Sequence, residues 1–325
     1  MTKKKVSQHK TLGDWAALAI QKHFEKFVQH EAAVLEDTDP EDLHQMRVGM
    51  RRLRSAVIGF GPVIELPQEA QNQRIGKIAR TLGSLRDLDV LTETLQTRYQ
   101  PYLPPTEQST LKPALRCLKK QRRQAFKEVR ATLHHKRYQR LKQSLATWLE
   151  KPIYTPIAQL PIEEVLPDLL MPEISHLFLH PGWMIGIMVK GEKVEVDQTL
   201  TAKAVNQLLQ LQGPILHDLR KQVKRVRYQM SLFTEFYGET YGEYVEDMKA
   251  IQENLGDIQD SEVLEDFLTD IFEQDLKKVI PALGELLINS RYKSWQRWQQ
   301  LQVRYLTVEH RTNFHLELLK PVIRV

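Results

Sequence analysis

The sequence predicts an all-α chain built by internal duplication. A pattern Leu-His-x-x-Arg-x-x-x-basic-Arg-x-Arg occupies residues 43–54 and returns at 216–227, carrying its histidine from position 44 to position 217, an offset of 173. A second pattern follows each copy at that same offset: Leu82-Gly83-x-Leu85-x-Asp87-x-Asp89-Val90-Leu91 and Leu255-Gly256-x-Ile258-x-Asp260-x-Glu262-Val263-Leu264. Glycine is scarce, 14 in 325 residues, and long segments keep a helical period.

The elements follow in order. Trp15, Ile20, Phe24 and Phe27 mark a first amphipathic helix. Asp39-Pro40-Glu41-Asp42 starts the first basic helix, with a capping acid, proline at the first helical position and acids at the positive dipole end. Gly213-Pro214 reads as the matching start in the second copy, and Gly83 and Gly256 as helix ends, with Asp87 and Asp260 near the start of the next helix. Residues 111–149 carry one long helical pattern, whose counterpart after Pro281 is shorter and less basic; Tyr138 after Arg137 matches Tyr292 after Arg291. Between the copies lie Pro152, Pro156, Pro161, Pro167, Pro172 and Pro181. The apolar run from Met184, the turn Lys190-Gly191-Glu192-Lys193 and Val194-Glu195-Val196-Asp197 then read as a small hairpin. The expected organisation is a first half at 1–150, a Pro-rich linker at 151–199 and a second half at 200–325.

Composition narrows the function. Lys and Arg total 46 against 41 Asp and Glu, a net charge of +5, so an anion site must come from clustering. The single cysteine, Cys117, excludes an internal disulfide framework and a cysteine zinc site and fits a reducing compartment. Met1-Thr2-Lys3-Lys4-Lys5 is not followed by a signal-peptide core, and the most apolar stretch, 177–189, is broken by His180, Pro181 and Gly182. A soluble cytoplasmic protein without membrane contact is expected.

The basic helices carry the chemistry. At about 100° per residue, Arg47, Arg51 and Arg54 fall within about 80° of His44, while Arg52 lies off to the other side. Met46, Met50, Leu53, Val57 and Phe60 gather on the opposite face. The second copy repeats this with His217, Arg220, Lys224 and Arg227 outside and Leu219, Val223, Val226, Met230 and Phe233 inside. A third stripe, Arg116, Lys120, Arg123, Lys127, Arg130, His134 and Arg137, alternates spacings of 4 and 3, opposite Leu118, Ala125 and Val129. Lys77 and Arg80 add single cations. Arginine bonds two phosphate oxygens with a planar fork and keeps its charge, so rows of this kind suit a linear polyanion. No GxxxxGK[ST] or GxGxxG loop is present to cradle a nucleotide.

His44 and His217 read either as added phosphate donors or as histidines bonded within the bundle. Asp87, Asp89, Asp260 and Glu262 read as caps or as partners that orient the arginines, in preference to a metal site. His217-Asp218 matches the metal dyad of HD phosphohydrolases only superficially, because the first copy has Gln45 in place of the acid. Trp295 and Trp298 read as core.

The repeated His-x-x-Arg-x-x-x-basic-Arg-x-Arg helix, followed by Leu-Gly-x-x-x-Asp-x-acid-Val-Leu, resembles the CHAD family over about residues 12–306. The resemblance implies two four-helix bundles related by a pseudo-twofold axis, with basic helices lining a central groove or pore. It also implies binding of inorganic polyphosphate and recruitment to polyphosphate granules. Motif matching carries this role onto His44, Arg47, Arg51, Arg52, Arg54, His217, Arg220, Lys224, Arg225 and Arg227. The third helix of the second half departs from the pattern, with Gln296, Gln299, Gln300 and Gln302 around Arg297, so the halves can contribute unequally. No Glu-x-Glu-x-Lys strand of the CYTH domain often fused to this family is visible.

The reading is therefore a non-enzymatic polyphosphate binder with no metal or cofactor. RNA binding through the same cations is the alternative, although the basic faces carry almost no aromatic groups for base stacking. A metal-dependent phosphohydrolase is the weaker alternative.

Overall fold

The computed structural model describes residues 11–191 and 193–322; the lysines at positions 3 to 5 and Glu192 lie outside them. The described residues are all-α apart from one hairpin. In order run α1 (Leu12–Val28), α2 (Glu31–Glu36), α3 (Pro40–Gly59), α4 (Asn72–Glu93), α5 (Pro105–Thr110), α6 (Lys112–His134), α7 (Lys136–Glu150) and α8 (Ile162–Phe178). The hairpin β1 (Ile187–Lys190) and β2 (Lys193–Val196) follows, then α9 (Ala202–Met230), α10 (Glu239–Phe272), α11 (Leu276–Val279), α12 (Pro281–Leu306) and α13 (Val308–Leu318). The strands pair antiparallel, Ile187 with Val196 and Val189 with Val194, and Gly191 takes φ +64° at the turn. Among the described residues no helix is long and apolar enough to cross a membrane.

The described residues form two compact units. Residues 11–86, 124–170 and 321–322 make the first; residues 87–123 and 171–320 make the second. In the first, α1 packs on α3 through Ile20, Phe27, Met46, Met50 and Leu53, all fully buried. Each such side chain contributes roughly 1.5–3 kcal/mol of transfer free energy. The two helices approach closely because Gly49 has no side chain: a β-carbon there would stand 2.7 Å from the Phe27 backbone nitrogen. The Asp39 carboxylate accepts from Glu41 N at 2.8 Å, and Pro40 opens α3, as the sequence indicated. Tyr138 is buried, and its hydroxyl donates to Glu31 at 2.8 Å. In the second unit Leu264, Leu268, Leu283 and Leu287 pack with Leu95, Leu111 and Leu118.

Four expectations are corrected. The pattern over 111–149 is two helices, because His135 takes an extended conformation (φ −72°, ψ 141°) and its ring caps α7 by accepting from Arg137 N. Gly83 and Gly256 do not end helices; α4 and α10 run through them, leaving Asp87 and Asp260 inside helices as well. Gly213-Pro214 starts nothing, since α9 begins after Thr201, whose side chain caps Ala204 N, and Pro214 sits inside it. Val205, Leu209, Leu216 and Leu219 are buried on both sides of the proline, so packing holds the helix across the lost hydrogen bond. Finally, the proline-rich stretch contains α8, which continues through Pro167 and Pro172 with Leu166, Leu170 and Ile174 buried.

The glutamines of α12 have a structural use. Gln302 Nε2 donates to the carbonyls of Trp183 (2.7 Å) and Ile185 (2.8 Å), and Gln299 Nε2 to that of Asp197 (2.9 Å). Tyr292 donates to Leu200 O at 3.0 Å. These bonds fasten both ends of the hairpin segment to α12.

Candidate functional site

In the first unit α3 buries the expected apolar face: Met46, Met50, Leu53, Val57 and Phe60 are all buried. His44, Arg47, Arg51 and Arg54 are only half-buried, while Arg52 is exposed. The row does not stand clear in solvent as a single-helix projection suggests; it turns toward α4. Arg54 Nε donates to Asn72 Oδ1 at 2.9 Å, and its guanidinium lies 3.3 to 3.5 Å from where a β-carbon on Gly76 would stand. Arg47 Nη1 reaches Gly83 O at 3.4 Å, and Nη2 lies 3.7 Å from the equivalent point on Gly83. Two glycines of α4, seven positions apart, thus lie beside two arginines of α3, and at Gly76 the contact is tight enough that a side chain would press on Arg54.

This face gathers like charges. Lys77 and Arg80 are exposed on α4. Burial and the nearby Arg80 charge lower the pKa of Arg54. Burial holds the His44 ring below the usual imidazole range; Glu41 opposes this, and Arg86, Arg51 and Arg47 add to it. Arg86 was missed by the sequence reading. Its signal is a spacing of three on α4, Arg80-Gly83-Arg86, which sets it beside the glycine that Arg47 contacts.

The second unit repeats the core relationship with a different charge pattern. Leu219, Val223, Val226, Met230 and Phe233 are buried. The Arg220 guanidinium lies 3.2 Å from where a β-carbon on Gly256 would stand. Here, however, Asp260 Oδ1 stands 4.0 Å from Arg220 Nη2. Arg220 Nε is buried without a hydrogen-bond partner. Neighbouring Asp257 accepts from Arg98 Nη1 at 2.9 Å. At the 173-residue offset, Arg80 of α4 becomes Glu253 of α10 and Arg86 becomes Gln259. Burial, then Lys221 and Arg220, hold His217 below the usual imidazole range, and its Nδ1 is buried without a partner. Lys224 and Arg227 are half-buried, the latter 4.8 Å from the centre of the Tyr228 ring, and Arg225 is exposed.

On α6, Arg116, Lys120, Arg123, Lys127, Arg130 and His134 are exposed, while Leu118, Ala125 and Val129 are buried opposite them. The first three lie on the portion of α6 in the second unit and the last three on the portion in the first. Arg137, also exposed, belongs to α7 and leaves the stripe at the His135 break.

The acids serve arginines. The buried Asp89 carboxylate accepts from Arg122 Nε at 2.7 Å. Asp260 faces Arg220, and Arg291 pairs with Glu265. The capping alternative fails for Asp87, Asp89, Asp260 and Glu262, all of which lie inside helices. Glu262 is pushed up to about 7, mainly by burial, with Arg291 pulling the other way. Asp218 is held low by its bonds to Lys221 and His180. Among the described residues no group of three or more His, Cys, Asp or Glu is placed to hold a metal ion.

A family model described as "CHAD domain" matches residues 18–269. Two solved structures share the fold. The crystal structure of the CHAD domain from the plant Ricinus communis is 22% identical, with 95% of this chain and 92% of that chain covered and a TM-score of 0.56. PptA from Streptomyces chartreusis is 13% identical, with 90% and 99% covered and a TM-score of 0.64. None of the curated proteins matches the chain.

Proposed function

The chain belongs to the CHAD domain family, and on that footing we propose that it binds inorganic polyphosphate through the basic faces of α3 and α9, through Lys77, Arg80 and Arg86 of α4, and through the exposed cations of α6 and Arg137 of α7. The observation that carries this reading is the packing of Arg54 against α4, where burial and the Arg80 charge both act against its own charge. Like charges held this close repel, and a chain of phosphates laid over them converts the repulsion into charge-assisted hydrogen bonds. Polyphosphate offers one anionic group per unit along a flexible line, which fits rows of cations one helical turn apart. The first unit carries the stronger share, because Arg80 and Arg86 stand where the second unit has Glu253 and Gln259. The protein holds the polymer without cutting it, since Asp89 and Asp260 are turned to arginines, where they orient donors. Recruitment to polyphosphate granules in the cytoplasm follows from such binding.

The test is a competition at fixed ionic strength: labelled polyphosphate against RNA of equal total charge, with and without EDTA. Displacement by unlabelled polyphosphate but not by RNA, unchanged by EDTA, is the expected result. Equal displacement by RNA makes the site a general polyanion surface.

A further inference from the structure

Within the first unit a cavity of about 320 Å³ opens between α4 and the α6–α7 junction. Its lining is two-sided in chemistry. Ala131 and the edge of Ile78 contribute apolar surface, with Tyr138 behind them in the core, and Arg74, Lys77 and Arg137 contribute three cations. Ile78 and Tyr138 are buried in the core, so this part of the wall is fixed in place. Tyr138 is further anchored by its hydroxyl bond to Glu31. Arg74 has a carboxylate neighbour, Glu69 at 3.7 Å, but both side chains are more than a third exposed and the pair is weak enough for a ligand to displace. His135, also in the lining, spends its Nδ1 on the Arg137 backbone, leaving Nε2 as its other polar atom.

A bare linear polyphosphate has no apolar part and no use for Ala131 and Ile78. Small-molecule sites combine such apolar walls with a few placed polar groups, in volumes from roughly 300 Å³ upward. The geometry points to a second site here, for a small organic phosphate of mononucleotide size, its phosphate held by Arg74, Lys77 and Arg137 and its ring against Ala131 and the exposed edge of Ile78. Lys77 and Arg137 belong to the polyphosphate reading as well; Arg74 and the apolar wall do not.

The experiment is calorimetric titration of the full chain with AMP, ribose 5-phosphate and inorganic phosphate, repeated on Ala131→Trp and Arg74→Ala. Ala131 is exposed, so the larger ring fills the cavity mouth without entering the core. AMP should bind at least tenfold more tightly than either smaller phosphate. Each variant should weaken AMP at least tenfold and leave polyphosphate affinity within twofold, with circular dichroism unchanged. If Ala131→Trp proves unfolded, Arg74→Ala decides alone. Absence of AMP binding, equal affinity for AMP and inorganic phosphate, or full AMP affinity in the folded variants overturns the proposal. Loss of the polyphosphate reading would show separately, as a wild-type chain that binds AMP and not polyphosphate.

Discussion

Arg220 rests its guanidinium 3.2 Å from the point where a β-carbon on Gly256 would stand, and Arg47 repeats the relationship with Gly83 at 3.7 Å. Glycine inside a helix costs about 1 kcal/mol relative to alanine. At Gly256 that cost is explained by the cation that crosses the helix there, too close for a methyl group; at Gly83 the 3.7 Å distance is ordinary contact.

The two glycines should answer differently to a methyl group. Gly83→Ala meets only ordinary contact distance and should stabilise the fold by about 0.5–1 kcal/mol with polyphosphate affinity intact. Gly256→Ala pushes on Arg220, so it should gain less stability and weaken polyphosphate binding. Gly49→Ala should destabilise by roughly 1–3 kcal/mol, because the methyl group meets backbone that cannot swing aside. Urea denaturation and polyphosphate titration of the three variants check this; a stable Gly49→Ala chain would contradict the packing of α1 on α3.

Removing charges should expose an asymmetry. The double variant Arg47→Ala with Arg51→Ala should lose more affinity than Arg220→Ala with Lys224→Ala, each desolvated contact contributing on the order of 1.5–3 kcal/mol. Asp260 already offsets part of the Arg220 charge. Equal losses measured by polyphosphate titration would refute the unequal division.

Salt gives a third measure. Binding to several phosphates releases counterions, so the logarithm of the affinity should fall steeply and linearly with the logarithm of salt concentration. A flat dependence is incompatible with the proposed contacts.

Protonation should act on binding and folding with distinct signs. His44 and His217 are held below the usual imidazole range in the free protein, and a bound polyanion raises both. Affinity should therefore rise as pH falls through and below about 6.5, and His44→Ala with His217→Ala should flatten the rise. In folding, Glu262 sits at about 7 against an ordinary 4.5, so its fold prefers the neutral form. Stability from this group is full below 4.5 and lost as pH rises through 7. Glu262→Gln should accordingly be the more stable chain at pH 8, with the advantage gone at pH 5, as denaturation at the two pH values will tell.

The faces of the helices were legible in the sequence because burial follows the 3.6-residue period. Met50 and Val57 fall inside in the first copy, and Val223 and Met230 in the second, as their angles require. The cap at Asp39 and the hairpin were legible from residue types whose geometry is local. The His135 break was not, since a single extended residue needs neither glycine nor proline and leaves the periodic pattern on each side intact. Gly83 and Gly256 misled because a glycine in a helical pattern need not end the helix: α10 runs through Gly256, which makes room for Arg220, and α4 runs through Gly83 with Arg47 at ordinary distance. Angles on one helix likewise say what lies opposite the core without saying that Asn72 and Gly76 of another helix will meet Arg54. Arg86 escaped notice for that reason.

The amide of Gln302 is fully buried and spends its two N–H groups on the carbonyls of Trp183 and Ile185. A donor sealed from water and robbed of its acceptors costs more than the bonds it had made. The 183–197 segment of the proline-rich stretch is therefore a keystone of the second unit and not a tether that can be trimmed. A shortened chain lacking 183–197 would keep both motif helices in its sequence and yet leave α12 with a polar wound in its interior. The third helix of each copy has been put to opposite work: one displays charge to the solvent, the other locks an inserted segment in place.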